Sequence, residues 1–304
     1  MQLKVKADNA EEQILIGVGL RHPHFTEALS TPSNIDFIEV HSENFFTQGG
    51  ASLSVLEQVS DKYAISLHST AMGLGSAEGV PRQYLCKLNE LAKQTQPILM
   101  SDHACFTWSQ LNGQQVHAGD LLPLAYSEQT LMVLAHNIDR VQQALGRSLL
   151  VENLSAYIQY SHTYMTETEF LVRLTELTGC QLLIDLNNII VTARNTNKNQ
   201  PLSFAKQWLS EIPTNSVGEF HLAGFTEVKQ NEIVIDDHSQ AVSNQGWQLY
   251  RHALQRFGKI PTLIEWDNNL PNWQTLLGEA DKARSISEQV FNEQTLASMA
   301  LSYE

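Results

Sequence analysis

The chain has 304 residues, a length that suits one α/β barrel of about 250 residues with modest additions. Its net charge of -14 opposes binding to phosphate backbones, which draws on Lys and Arg displacing counterions, so nucleic acid is not an expected partner. No window approaches the roughly 20 apolar residues of a membrane span, and Cys86, Cys105 and Cys180, far apart and without a CxxC, suggest neither a disulfide framework nor a thiolate metal site. These bounds predict a soluble, cytoplasmic, largely folded protein whose cysteines are reduced and mostly buried.

After an N-terminal extension (1–13), short runs rich in Ile, Leu and Val recur with room for a helix between them: 14–20, 35–41, 64–69, 98–103, 149–153, 181–188, 217–224 and 262–267. Several are nearly continuous in apolar residues, the mark of strands buried on both faces. The intervening segments read as helices. Segment 81–94 opens on Pro81 and spaces Tyr84, Leu85, Leu88 and Leu91 along one face; 127–145 runs from a Ser127 N-cap to Gly146. Segment 166–178 starts with a capping-box pattern pairing Thr166 with Glu169, and 244–257 ends at a Gly. Trp208 and Trp247 read as helix packing, and 287–304 as a C-terminal helix or tail with a solvated acidic face. Eight alternations predict a TIM-like (β/α)8 barrel, a single domain spanning 1–304. The rival, a doubly wound open sheet, lacks its Gly-rich phosphate loop after the first strand. Two inserts stand out: 104–123, which reads as a hairpin around Asn112-Gly113, and 225–244.

The chemistry is carried by where polar residues fall. Six successive runs, from the third to the eighth, finish in His68, His103, Glu152, Asp185, His221 and Glu265. In a closed parallel barrel these ends ring one mouth, where barrel enzymes keep their active sites. The second insert adds Asp236 and His238, whose i, i+2 spacing would set both side chains on one face of an extended segment. A carboxylate at the end of an apolar strand is costly to bury unless paired or bound to a cation. A metal cluster explains the set economically. Its donors are nitrogen and oxygen, which suits iron, manganese or zinc. With Asn188 there are more ligands than one ion uses, so two or three ions bridged by a carboxylate such as Glu152 are expected. A lone strand-end His is more often structural, and it is the joint occurrence that speaks for ligands. His41, Glu43, Asn44 and Asn153, with Arg21, Trp108 and Asp120, belong to the same face and are candidates for contacting substrate or supporting ligands. His22, His24, His117, His136, His162 and His252 lack such placement and read as structural or solvated.

The runs Gly17-Val-Gly-Leu-Arg21, Phe37-Ile-Glu-Val-His-Ser-Glu-Asn44, Ser66-Leu-His68, Asp120-Leu-Leu-Pro-Leu-Ala-Tyr126, Leu150-Val-Glu-Asn153, Asp185-Leu-Asn-Asn188, His221-Leu-Ala-Gly224 and Leu263-Ile-Glu-Trp-Asp267 resemble the domain-of-unknown-function 692 family, the multinuclear non-haem iron-dependent oxidative enzymes. The likeness spans roughly residues 14 to 286. It implies a TIM barrel with two or three irons of mixed Fe(II)/Fe(III) state and an O2-dependent oxidation of a precursor peptide, commonly at cysteine, in the maturation of ribosomally made natural products. It also implies a separate partner protein that recognises the leader. Ligand roles then fall on His68, His103, Glu152, Asp185, Asn188, His221, Asp236, His238 and Glu265. The chain departs from the family pattern at Ser101-Asp-His103, where Glu is common, at Asp236-Asp-His238, where Thr is common, and at Thr196, where a His often follows the Ala-Arg-Asn run. The ligands survive these changes.

Two other readings share this barrel. A hydrolase resembling endonuclease IV uses three zincs on phosphodiesters with a similar His/Glu/Asp order, and a sugar isomerase uses a carboxylate and His site with manganese. The acidic balance argues against the first.

Overall fold

The computed structural model describes residues 13–301 other than 32, 48, 159, 162, 197–199, 230 and 231; most of the N-terminal extension, and His162, lie outside the described residues. In chain order its strands are β1 (Ile16–Gly19), β2 (Phe37–His41), β3 (Ala64–His68), β4 (Leu99–His103), β5 (Cys105–Leu111), β6 (Gln114–Pro123), β7 (Leu150–Glu152), β8 (Gln181–Asp185), β9 (Val217–Leu222) and β10 (Thr262–Ile264). Every one of the eight apolar runs contains a barrel strand. The strands pair in parallel in the order β1, β2, β3, β4, β7, β8, β9, β10, and β10 pairs back onto β1, so the sheet is a closed barrel and not a doubly wound open one. The runs are continuous in apolar residues because helices cover one face and the barrel interior the other. In β8, for example, Leu182, Leu183 and Ile184 are all buried.

Helices Arg82–Thr95, Glu128–Leu145, Glu167–Thr178, Leu186–Asn195, Pro201–Glu211, Asn244–Phe257 and Trp273–Leu301 follow the strands. Ser127 and Thr130 form a reciprocal capping box, worth about 1 kcal/mol. Thr166 accepts from Glu169 N, but the expected box is only half made, and Thr166 Oγ1 also meets Thr168 Oγ1 at 3.0 Å. Trp208 and Trp247 are buried as read. The C-terminal helix begins at Trp273, well before 287, and packs Leu276, Ala280 and Ala283 inward. β5 and β6 form the hairpin, turned by Asn112 and Gly113, both left-handed (φ 53° and 77°). Cys105 and Cys180 are buried and Cys86 is exposed. Among the described residues no helix is long and apolar enough to cross a membrane.

Alternation along each strand sorts side chains into an outer set facing the helices and an inner set facing the barrel axis. On β2 the outer set is Ile38 and Val40, and the inner set is Phe37, Glu39 and His41, in rising layers. Gly17, paired to Phe37 across β1 and β2, leaves room for its ring, which a Cβ there would meet at 2.6 Å. The bottom of the barrel is thus apolar, and its upper layers are polar.

Candidate metal centre

The topmost inner positions converge. His68 Nε2 lies 3.5 Å and His103 Nε2 3.1 Å from Glu152 Oε2. Both rings are oriented from behind, with His68 Nδ1 2.8 Å from Ser101 Oγ and His103 Nδ1 3.4 Å from Asp102 Oδ1, which leaves Nε2 for the interior. Glu152 faces two ways. Its Oε1 lies 4.0 Å from His221 Nδ1, which is also 3.0 Å from Glu265 Oε2. Glu152 therefore belongs to two sets of converging donors, one with His68 and His103 and one with Asp185, His221 and Glu265.

Further candidate donors stand in pairs where β8 turns into a helix. Read from the sequence, this strand runs on to Asn188, but it ends at Asp185, whose Oδ1 accepts from Asn188 N at 2.8 Å and so caps helix Leu186–Asn195. Capping is a local hydrogen-bond choice that apolar content does not reveal. Asn188 stands on the first turn of that helix and donates its Nδ2 to Asn153 O at 2.9 Å. Asp185 Oδ2 lies 3.6 Å from His238 Nε2, and Asp236 Oδ1 lies 2.9 Å from the same nitrogen. His238 is not in an extended segment. Its φ of 42° is left-handed, and its carbonyl accepts from Asp267 N at 2.8 Å, so a held turn and not strand alternation brings Asp236 and His238 together.

Arg21, His41 and Asp267 complete the rim. Arg21 Nε donates to Asp267 Oδ1 at 2.8 Å, and its Nη2 lies 2.9 Å from His41 Nε2 and 3.5 Å from Glu265 Oε1. Other candidates have different work. Asn153 straps β7 to β8, Oδ1 accepting from Asp185 N at 2.9 Å and Nδ2 donating to Asp185 O at 3.2 Å. Glu43 Oε1 accepts from Thr70 N, Ala71 N and the Tyr84 hydroxyl, pinning a loop. Asn44 is exposed on the 3-10 turn Ser42–Phe45, Trp108 donates to Ala71 O, and Asp120 is exposed on the hairpin, accepting from its neighbour Leu121 N.

Glu152 Oε2, Asp185 Oδ2, Asn188 Oδ1 and His238 Nε2 are buried without a hydrogen-bond partner. Each such orphan costs about 1–3 kcal/mol unless something else satisfies it. Two atoms each about 2.1 Å from one cation and at roughly a right angle to each other are about 3 Å apart. His103 Nε2 and Glu152 Oε2 stand at such a spacing, 3.1 Å, with no hydrogen bond made by that oxygen. Orphaned lone pairs at ligand-to-ligand distance, in a nitrogen and oxygen set, fit iron, manganese or zinc.

The electrostatics agree. Burial pushes the Glu152 carboxyl up to about 8 against the pull of His103 and His221, and Asp185 up to about 7 against His238. Burial opposes protonation of His103, yet Glu152 and Asp102 raise it to about 9. Burial would also raise Glu265, but His238 and His221 hold it well below the usual carboxylate range. Glu39 and Glu219, one layer below, converge on His221 as a further donor set, and Asp267 joins His41 and Glu265 in another. Reading strand ends alone missed these two glutamates. The period of two would have found them, since Glu219 is two residues before His221 and Glu39 two before His41.

This architecture is a xylose isomerase-like TIM barrel. It aligns with D-psicose 3-epimerase from Clostridium cellulolyticum (TM-score 0.57, 9% identity, 91% of this chain and 99% of that one) and with endonuclease IV from Thermus thermophilus (TM-score 0.56, 14% identity, 92% and 99%). The chain belongs to the family described as RiPP precursor modification enzyme MbnB/TglH/ChrH, whose model matches residues 15–288. It is 40% identical over 270 residues to a UPF0276 protein of Chromobacterium violaceum, covering 89% of this chain and 94% of that one. It is 41% identical over 280 residues to a UPF0276 protein of Vibrio vulnificus (91% and 93%).

Proposed function

We propose that the ring holds two or three irons in mixed Fe(II)/Fe(III) states and that the chain uses O2 to oxidise a cysteine-containing precursor peptide in the cytoplasm, with a separate partner protein recognising the leader. His68, His103 and Glu152 hold one ion, and Glu152, Asp185, His221 and Glu265 a second. Asp185, Asn188, Asp236 and His238 hold the third. The observation that carries this reading is the position of Glu152, one oxygen toward each of two donor sets, with neighbouring lone pairs left unsatisfied. Membership of a precursor-modifying family supports a peptide as the substrate class.

Bound iron supplies electrons for reducing O2 and a Lewis acid that favours the thiolate form of a substrate cysteine. The protein's part is to hold and shield. Ser101 and Asp102 fix two imidazoles, Asn153 ties the ends of β7 and β8, and His41, with 23% of its side chain exposed, marks where the ring meets solvent. The test is metal content with Mössbauer and EPR spectra on protein purified anaerobically from iron-fed cells, then anaerobic addition of a cysteine peptide encoded beside the gene. Two to three irons per chain and a peptide-induced spectral change are expected. Protein that takes up only zinc or manganese, and that cleaves abasic DNA or isomerises sugars, overturns the reading in favour of the hydrolase or isomerase.

A further inference from the structure

Glu39 and Glu219 place carboxyl groups in the barrel interior below the ring, where no solvent reaches: both are 0% exposed. Glu39 Oε2 accepts from Ser66 Oγ at 2.8 Å, but Glu39 Oε1 and both oxygens of Glu219 have no hydrogen-bond partner. The group facing them is His221. Its Nε2, also without a hydrogen bond, lies 3.4 Å from Glu39 Oε1 and 3.8 Å from Glu219 Oε1.

His221 points its other nitrogen, Nδ1, at Glu265 and Glu152 in the ring above. A neutral imidazole has one N–H and one lone pair. If Nδ1 gives its lone pair to a cation, the proton must sit on Nε2, where it points down between the two glutamates. We propose that Glu39 and Glu219 are positioning residues for the metal centre: a paired carboxylate seat that accepts the Nε2–H of His221, fixes that tautomer and makes Nδ1 a stronger donor to its ion. The inference rests on the reading that the ring binds cations, and on none of the claims about iron, O2 or peptide. Geometry favours this role over a further cation between the glutamates, because such an ion would require His221 to give up both lone pairs and carry no proton.

The test loads the 304-residue chain with Co(II) or Zn(II) and compares the wild type with the double variants E39Q/E219Q and E39L/E219L. Gln keeps an acceptor of the same shape without the charge, so E39Q/E219Q should retain metal, with a shifted cobalt absorption band and a weakening of less than about tenfold. Leu removes the acceptor, and E39L/E219L should bind one ion about 10- to 100-fold more weakly. In zinc-loaded protein labelled with 15N-histidine, a strongly downfield Nε2–H signal should be present in the wild type, displaced in E39Q/E219Q and lost in E39L/E219L. A folded E39L/E219L with wild-type affinity and spectrum overturns the inference alone. So does loss of a whole equivalent of metal with the remaining cobalt spectrum unchanged, since the glutamates would then be ligands. Should E39L/E219L fail to fold, E39Q/E219Q decides: an unshifted band and Nε2–H signal overturn the inference. A wild type that binds no cobalt or zinc overturns it together with the metal reading beneath it.

Discussion

His103 Nε2 stands 3.1 Å from Glu152 Oε2, yet that oxygen makes no hydrogen bond. Atoms so close in a dry interior either share a proton in line or point at a third body, and the missing hydrogen bond fits the proposed cation. Because Glu152 also turns its other oxygen toward His221, removing its charge should disturb two ions together. Glu152→Gln is expected to lower metal content by at least one equivalent and to weaken the remainder about 10-fold or more, read by inductively coupled plasma mass spectrometry after dialysis. Retention of the full complement would refute the bridging role.

Proton competition sets a pH signature. In the metal-free protein Glu152 lies near 8 against an ordinary 4.5, Asp185 near 7 against 3.8, and His103 near 9 against 6.5. Each is raised on folding, so the native state holds more protons than the unfolded chain and metal-free stability falls as pH rises toward 9. Cation binding expels those protons, so affinity rises over the same interval. Thermal melts of chelator-treated and loaded protein between about pH 6 and pH 9 should diverge with pH, the treated sample losing melting temperature steadily. Parallel curves would contradict the assignment.

Metal removal should cost stability in its own right, because the ring then confines several carboxylates without cations. At a free ion concentration 100 times the dissociation constant, binding to the native state alone adds about 2.7 kcal/mol. Denaturant titrations with and without a chelator are expected to differ by at least that amount. Equal midpoints would show that the ring is stable without ions.

Asn153 offers a separate test, since its side chain satisfies both backbone groups of Asp185. Asn153→Leu leaves them unpaired at about 1–3 kcal/mol and frees the end of β8, so stability and metal content should fall together. Thr166→Ala, at a helix start outside the ring, should cost about 1 kcal/mol and leave metal content unchanged. A loss of metal in the Thr166 variant would mean that content merely tracks stability.

The barrel and most of the ring were legible from the chain because both rest on local signals. A strand covered on both faces must be apolar throughout, so a charged or imidazole group at its end announces itself, as His68, His103, Glu152 and His221 do. Closure of the sheet decided the rest. Which inner residues share a layer depends on strand stagger, and that put Glu39 and Glu219 beneath His221 and split Glu152 between two donor sets. Helix capping at Asp185 moved Asn188 off a strand, a left-handed turn carried His238 to Asp236, and side-chain hydrogen bonds made Asn153 a strap and Glu43 a pin while leaving Asn44 in solvent. Sequence determined which groups would be costly to bury, because that cost belongs to each residue and its immediate neighbours. Only the tertiary structure decided which of them meet, because contact across a closed barrel is a property of distant strands in register.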